Sequence, residues 1–161
     1  MVRMVRMVKN VRMVRNVRMV GMVWRLWKER LLATINKFED LECWQEARKL
    51  VNMVYKAINQ SKDFEKDYRL TGQITGAAIS VMNNIAEGWA AQSNNEFIRF
   101  LTYSRRSCAE TQNCLYIALD QKYITENTFK EIYDQGLKTI KIIDGLLRYL
   151  RSQRPKRSKR A

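Results

Sequence analysis

The sequence predicts an all-α fold, an antiparallel up-down-up-down four-helix bundle, and three observations carry that expectation. Only one proline and six glycines punctuate 161 residues, too few breakers for a loop-rich β fold. Four stretches place apolar residues at steps of three and four, the spacing that builds one face of a helix. The connections between them are a few residues long, and short links make long helices antiparallel neighbours. A chain of this length forms one domain that buries roughly 70% of its unfolded surface without staples.

The first predicted helix spans 39–61, with Asp40 as N-cap and Leu41, Trp44, Ala47, Val51, Val54, Tyr55 and Ile58 on one face. The second spans 66–87 on a stripe of Leu70, Ile74, Ala77, Ala78, Val81 and Ile85. Gly88 is expected to stop it, because glycine enters the left-handed conformation cheaply. Gly76, Ala77 and Ser80 are expected to draw this helix close to a partner, offsetting the ~1 kcal/mol that a helical glycine costs. Ser93-Asn94-Asn95-Glu96 reads as a capping box that opens the third helix. Phe97, Phe100, Leu101, Ser104, Cys108, Leu115, Ala118 and Leu119 then share one side, with Arg99 and Arg106 opposite. The fourth helix spans 125–151, and its stripe is Phe129, Ile132, Tyr133, Gly136, Ile140, Ile143, Leu147 and Leu150. Ile142 and Leu146 widen that stripe beyond one core contact, which points to a subunit interface.

Both ends of the chain differ from this body. Residues 1–36 carry nine basic residues against one acid, and 148–161 carry seven with none, so most of the net charge of +14 sits at the termini. The first 23 residues run in triplets of Met or Asn, Val, and Arg or Lys. Period three fits neither a helical face nor a strand. This basic N-terminal segment, 1–36, is expected to be disordered or to reflect a mis-assigned start. The bundle then occupies 37–151, and 152–161 form a basic disordered tail after Pro155.

Composition narrows the chemistry. There is no histidine, which removes the commonest general base and most transition-metal sites. Cys43, Cys108 and Cys114 form no Cys-x-x-Cys pair and read as reduced, partly buried thiols. No catalytic residue, cofactor or metal is expected, and no apolar run approaches the ~20 residues of a membrane span.

The segments FEDLECWQEARKLV, DYRLTGQITGAAISVMNNIAEGW and SNNEFIRFLTYSRRSCAETQNCLYIALDQKYIT resemble the four-helix bundle family of 23S rRNA intervening-sequence proteins, over roughly 38–150. The most specific piece is SVMNNIAEG at 80–88. The resemblance implies a bacterial, cytoplasmic, non-enzymatic protein that forms a cyclic homo-oligomer, a pentamer. A related branch, the accessory variability determinant proteins of diversity-generating retroelements, implies a reverse transcriptase as an alternative partner. Relatives often carry basic residues where Thr75 and Gly76 stand, and again near Ala91, so contact with RNA or DNA is expected to shift to the C-terminal tail.

The expected nucleic-acid-binding residues are therefore Arg148, Arg151, Arg154, Lys156, Arg157, Lys159 and Arg160. They would engage phosphates without reading bases. Asn84, Glu87, Gly88, Trp89, Glu110, Ile142 and Leu146 are expected at a subunit interface or in a structural motif. Trp44 is expected in the core, and Trp89 in the loop after the second helix. The alternative function is a protein-interaction scaffold.

Overall fold

The structure, a computed structural model, describes residues 35–153. The triplet repeat lies outside them, as do Arg154, Lys156, Arg157, Lys159 and Arg160. The described residues form five α-helices and a one-turn 3-10 helix, with no strand among them. The 3-10 turn, Phe38–Asp40, leads into α1, Glu42–Asn59. A short α2, Lys62–Lys66, precedes α3, Tyr68–Ala90. Then come α4, Asn94–Asp120, and α5, Glu126–Ser152. The four long helices are those expected, and α2 is an addition.

Each long helix packs mainly on two others, in the order α1, α3, α4, α5 and back to α1. Cross-helix contacts fix the directions. Gly88 of α3 meets Phe97 and Phe100 of α4, while Val81, two turns earlier, meets Ser104. Tyr116 of α4 meets Phe129 of α5, Gln112 reaches Tyr133, and Arg105 pairs with Asp144. Numbers fall on one helix as they rise on the next, so both pairs are antiparallel.

The core is one apolar seam through the four long helices. It takes Leu50 and Val54 from α1, Ile74 and Val81 from α3, Leu101 and Leu115 from α4, and Ile132 and Ile143 from α5, each 2% exposed or less. Burying such side chains stabilises the fold by ~1.5–3 kcal/mol each. The α3 stripe is buried as expected. On α1 the face is turned slightly: Cys43, Leu50 and Ala57 are buried, Trp44 and Val51 are half-buried and Tyr55 is 43% exposed. Trp44 therefore sits at the edge of the core, edge-on to Phe38 and under the guanidinium of Arg48.

Four local expectations are corrected. Asp40 does not cap α1; Leu41 is the N-cap, and Asp40 accepts from the Lys37 amide. Ser93 is the N-cap of α4, but its side chain accepts no capping hydrogen bond, and Glu96 pairs instead with Arg99. Gly88 lies inside α3, and no described glycine has positive φ. Gln92, at φ 50°, makes the left-handed turn into α4. Gly76 closes no gap within the chain, since a Cβ built on it or on Gly72 meets nothing within 4 Å. The close crossing belongs to Gly88, where an added Cβ would sit 2.8 Å from both Phe100 Cβ and Phe97 Cδ2.

The far end of the bundle is held by α2. Ser61 accepts from the Phe64 amide, and Phe64 is fully buried. Tyr123, from the turn between α4 and α5, stacks on Phe64 at 5.4 Å, and its hydroxyl donates to Asp67 Oδ2 at 3.4 Å.

Candidate functional site

Among the expected nucleic-acid residues, Arg148 and Arg151 are described. Both are exposed on the last two turns of α5, and neither forms an ion pair among the described residues. They lie at the negative end of the helix dipole, which favours cations there. The Arg105–Asp144 pair, at 2.9 Å, sets the register of α4 against α5. One and two turns beyond Asp144, Arg148 and Arg151 run alongside the first turns of α4. The C-terminal end of α5 and the N-terminal half of α4 thus lie at the same end of the bundle.

The expected interface residues fall in two places. Asn84, Glu87, Gly88 and Trp89 lie on the last two turns of α3. Asn84 Nδ2 donates to the Ser80 carbonyl at 2.7 Å, within its own helix. Glu87 is exposed, as is Glu110 on α4, and neither side chain is bonded among the described residues. Trp89 is not in a loop; it is a half-buried helical residue edge-on to Phe97 at 6.2 Å. Ile142 and Leu146 are both half-buried on α5.

Sequence reasoning missed three surface features. The outer edge of the α4–α5 seam carries an aromatic ridge. Tyr116, Phe129 and Tyr133 lie with ring centroids 4.9–5.9 Å apart. Tyr116 is 50% exposed, and Leu137, one turn past Tyr133, is 47% exposed. On α3, Gly72 and Gly76 leave the surface low and open. Third, Arg99 stands over Phe100 at 5.4 Å and Arg106 over Tyr103 at 5.9 Å, with the two rings edge-to-face. The spacing of those four residues was visible; the exposure of the rings was not.

Between α1 and α5 lies Glu46, only 5% exposed. Lys49 donates to its Oε1 at 2.7 Å, Gln135 to its Oε2 at 2.8 Å, and Lys138 pairs with Oε2 at 2.9 Å. Burial alone raises the carboxyl; the three donors and the Lys138 charge more than offset it and hold the pKa at about 2. This is an ion cluster that sets register, with no nucleophile or base beside it. The thiols are equally inert: burial pushes Cys43 and Cys108 up to about 12, and raises Cys114. No group of histidine, cysteine or acidic residues suited to a metal ion occurs among the described residues, and none of their helices is long and apolar enough to cross a membrane.

The family model for the 23S rRNA-intervening sequence protein matches residues 39–145. The chain belongs to that family. Its matched region runs from the 3-10 turn to the sixth turn of α5 and so covers the bundle. A crystal structure from the S23 ribosomal protein family of Bacteroides thetaiotaomicron, a protein of unknown function, is 24% identical with a TM-score of 0.56. That likeness covers 66% of this chain and 91% of that one, and it shows the shared fold. No curated protein matches the chain. Neither the family description nor the solved neighbour names an enzymatic activity.

Proposed function

We propose that the protein is a non-enzymatic, self-assembling scaffold that associates with RNA or DNA through its basic C-terminal end, by phosphate contacts that read no bases. The observation that carries this reading is the pair of exposed arginines, Arg148 and Arg151, on the last turns of α5, which form no ion pair among the described residues. They continue in the sequence into Arg154, Lys156, Arg157, Lys159 and Arg160, with no acid from 148 to 161. Each engaged cation releases a condensed counterion from the phosphate backbone, and that release is the driving force. The family description favours RNA as the polyanion, and the cytoplasm as the compartment.

Self-assembly multiplies the weak affinity of each basic end through avidity. The aromatic ridge at Tyr116, Phe129, Tyr133 and Leu137 and the low face at Gly72 and Gly76 are different surfaces of the bundle. Docking one on the other is a head-to-tail contact, which closes into a ring when the rotation allows. That shape supports a cyclic homo-oligomer, a pentamer in the reading from resemblance. The same exposed ridge supports a second reading, a scaffold that holds a protein partner such as a reverse transcriptase.

Binding of a labelled RNA duplex across a salt series tests the reading. About five engaged cations give a log–log slope of about −4.5. Deleting 152–161 is expected to remove most of that slope. Unchanged affinity and slope after the deletion would overturn the electrostatic reading.

A further inference from the structure

We propose that the outer face of α4 holds a single-stranded nucleic-acid site in which a base stacks on Tyr103 between the guanidiniums of Arg99 and Arg106. It rests on the reading above but places a second, base-contacting site on the bundle itself, apart from the basic terminus.

Three observations converge on it. Tyr103 is 40% exposed and its hydroxyl makes no hydrogen bond among the described residues, so the ring is neither core nor anchor. Arg106 stands over one face of the ring, and the exposed part of this guanidinium–ring pair offers a flat surface on which any base stacks. Phe100, half-buried against Gly88, meets the Tyr103 ring edge-to-face at 6.3 Å and holds it from below. The cations come third. Arg106 is exposed and forms no ion pair among the described residues, and it stands 5.9 Å over Tyr103. Arg99, two turns away and so ~10 Å along the axis, stands over Phe100 and pairs only with the half-exposed Glu96. A guanidinium stacked on a ring is already oriented, and its remaining N–H groups are free to donate to phosphate oxygens.

Charge complementarity selects the occupant. The face presents cations on both sides of one aromatic ring, which suits a chain that alternates phosphates with flat bases. A duplex hides its base faces and matches only the cations.

The test measures binding of the full-length protein to labelled oligouridylate, to inorganic polyphosphate and to polyglutamate. Tyr103→Ala is expected to weaken oligouridylate about 5- to 150-fold and to leave polyphosphate unchanged, while Tyr103→Phe retains both. Arg106→Gln is expected to lower the oligouridylate salt slope by about 0.7; its exposure makes it the variant that keeps the test valid if Tyr103→Ala loses helical circular dichroism. Wild-type affinity for oligouridylate in folded Tyr103→Ala, or an unchanged slope in Arg106→Gln, overturns the site. A loss confined to polyglutamate also overturns it and assigns the face to an acidic protein segment. The two readings separate on deletion of 152–161: if only that deletion weakens binding, this site fails and the terminal reading stands; if only Tyr103→Ala does, the terminal reading fails.

Discussion

Glu46 shows how a polar residue works inside an apolar seam. Its folded pKa of about 2 lies below the ordinary 4.5, so folding favours the ionised form. The stabilisation is fully present above about pH 4.5 and is lost as pH falls through the folded value. Because Lys49 and Lys138 keep more than half of their side chains in solvent, screening reduces the net contribution to about 1–3 kcal/mol. Glu46→Gln is expected to lower stability by that amount at pH 7 and by little at pH 2, in urea unfolding followed by circular dichroism. An equal loss at both pH values would show that the carboxylate charge is not what matters. Nothing near Glu46 in the sequence announces this role. Its donor partner Gln135 is 89 residues away, and its position on the edge of the α1 stripe reads locally as solvent.

At the scale of elements, the two kinds of glycine on α3 make opposite predictions. Gly88→Ala puts a Cβ 2.8 Å from Phe100 Cβ, an atom anchored to the α4 backbone, so the helices must part. The expected cost is about 1–3 kcal/mol. Gly76→Ala adds a methyl to open space and is expected to stabilise the isolated bundle by up to about 1 kcal/mol. Chemical denaturation of both variants checks the contrast; equal effects would contradict the packing assigned to Gly88. The four long helices were legible because twenty-odd residues of steady periodicity average out local noise. Helix α2 was not, since KDFEK has one apolar residue and no period. The misreading of Gly88 has the same origin: a glycine near a helix end usually stops it, and only the rings of Phe97 and Phe100, nine and twelve residues on, require it to stay helical. Of the candidate site, the basic residues could be read directly from the sequence. The ridge and the Arg99–Tyr103–Arg106 face could not, because a stripe does not say which of its edge aromatics the neighbouring helix leaves uncovered.

The whole chain has a near-neutral middle, 37–147, and strongly basic terminal sequences. Cys43 and Cys108 are held protonated by burial, and no group of histidine, cysteine or acidic residues suited to a metal ion occurs among the described residues. The proposed assembly uses two surfaces, the ridge on the α4–α5 seam and the low face of α3. Leu137→Glu sits on the ridge, and Leu137 is already half-exposed; the substitution is expected to keep the helical signal while weakening assembly.

Native mass spectrometry of the full-length protein, alone and with a short RNA, addresses assembly and polyanion binding in one experiment. The predicted result is a single species of several copies that gains the mass of bound RNA, and that falls to monomer with Leu137→Glu. A wild-type protein that is monomeric and carries no RNA at low salt would contradict the account.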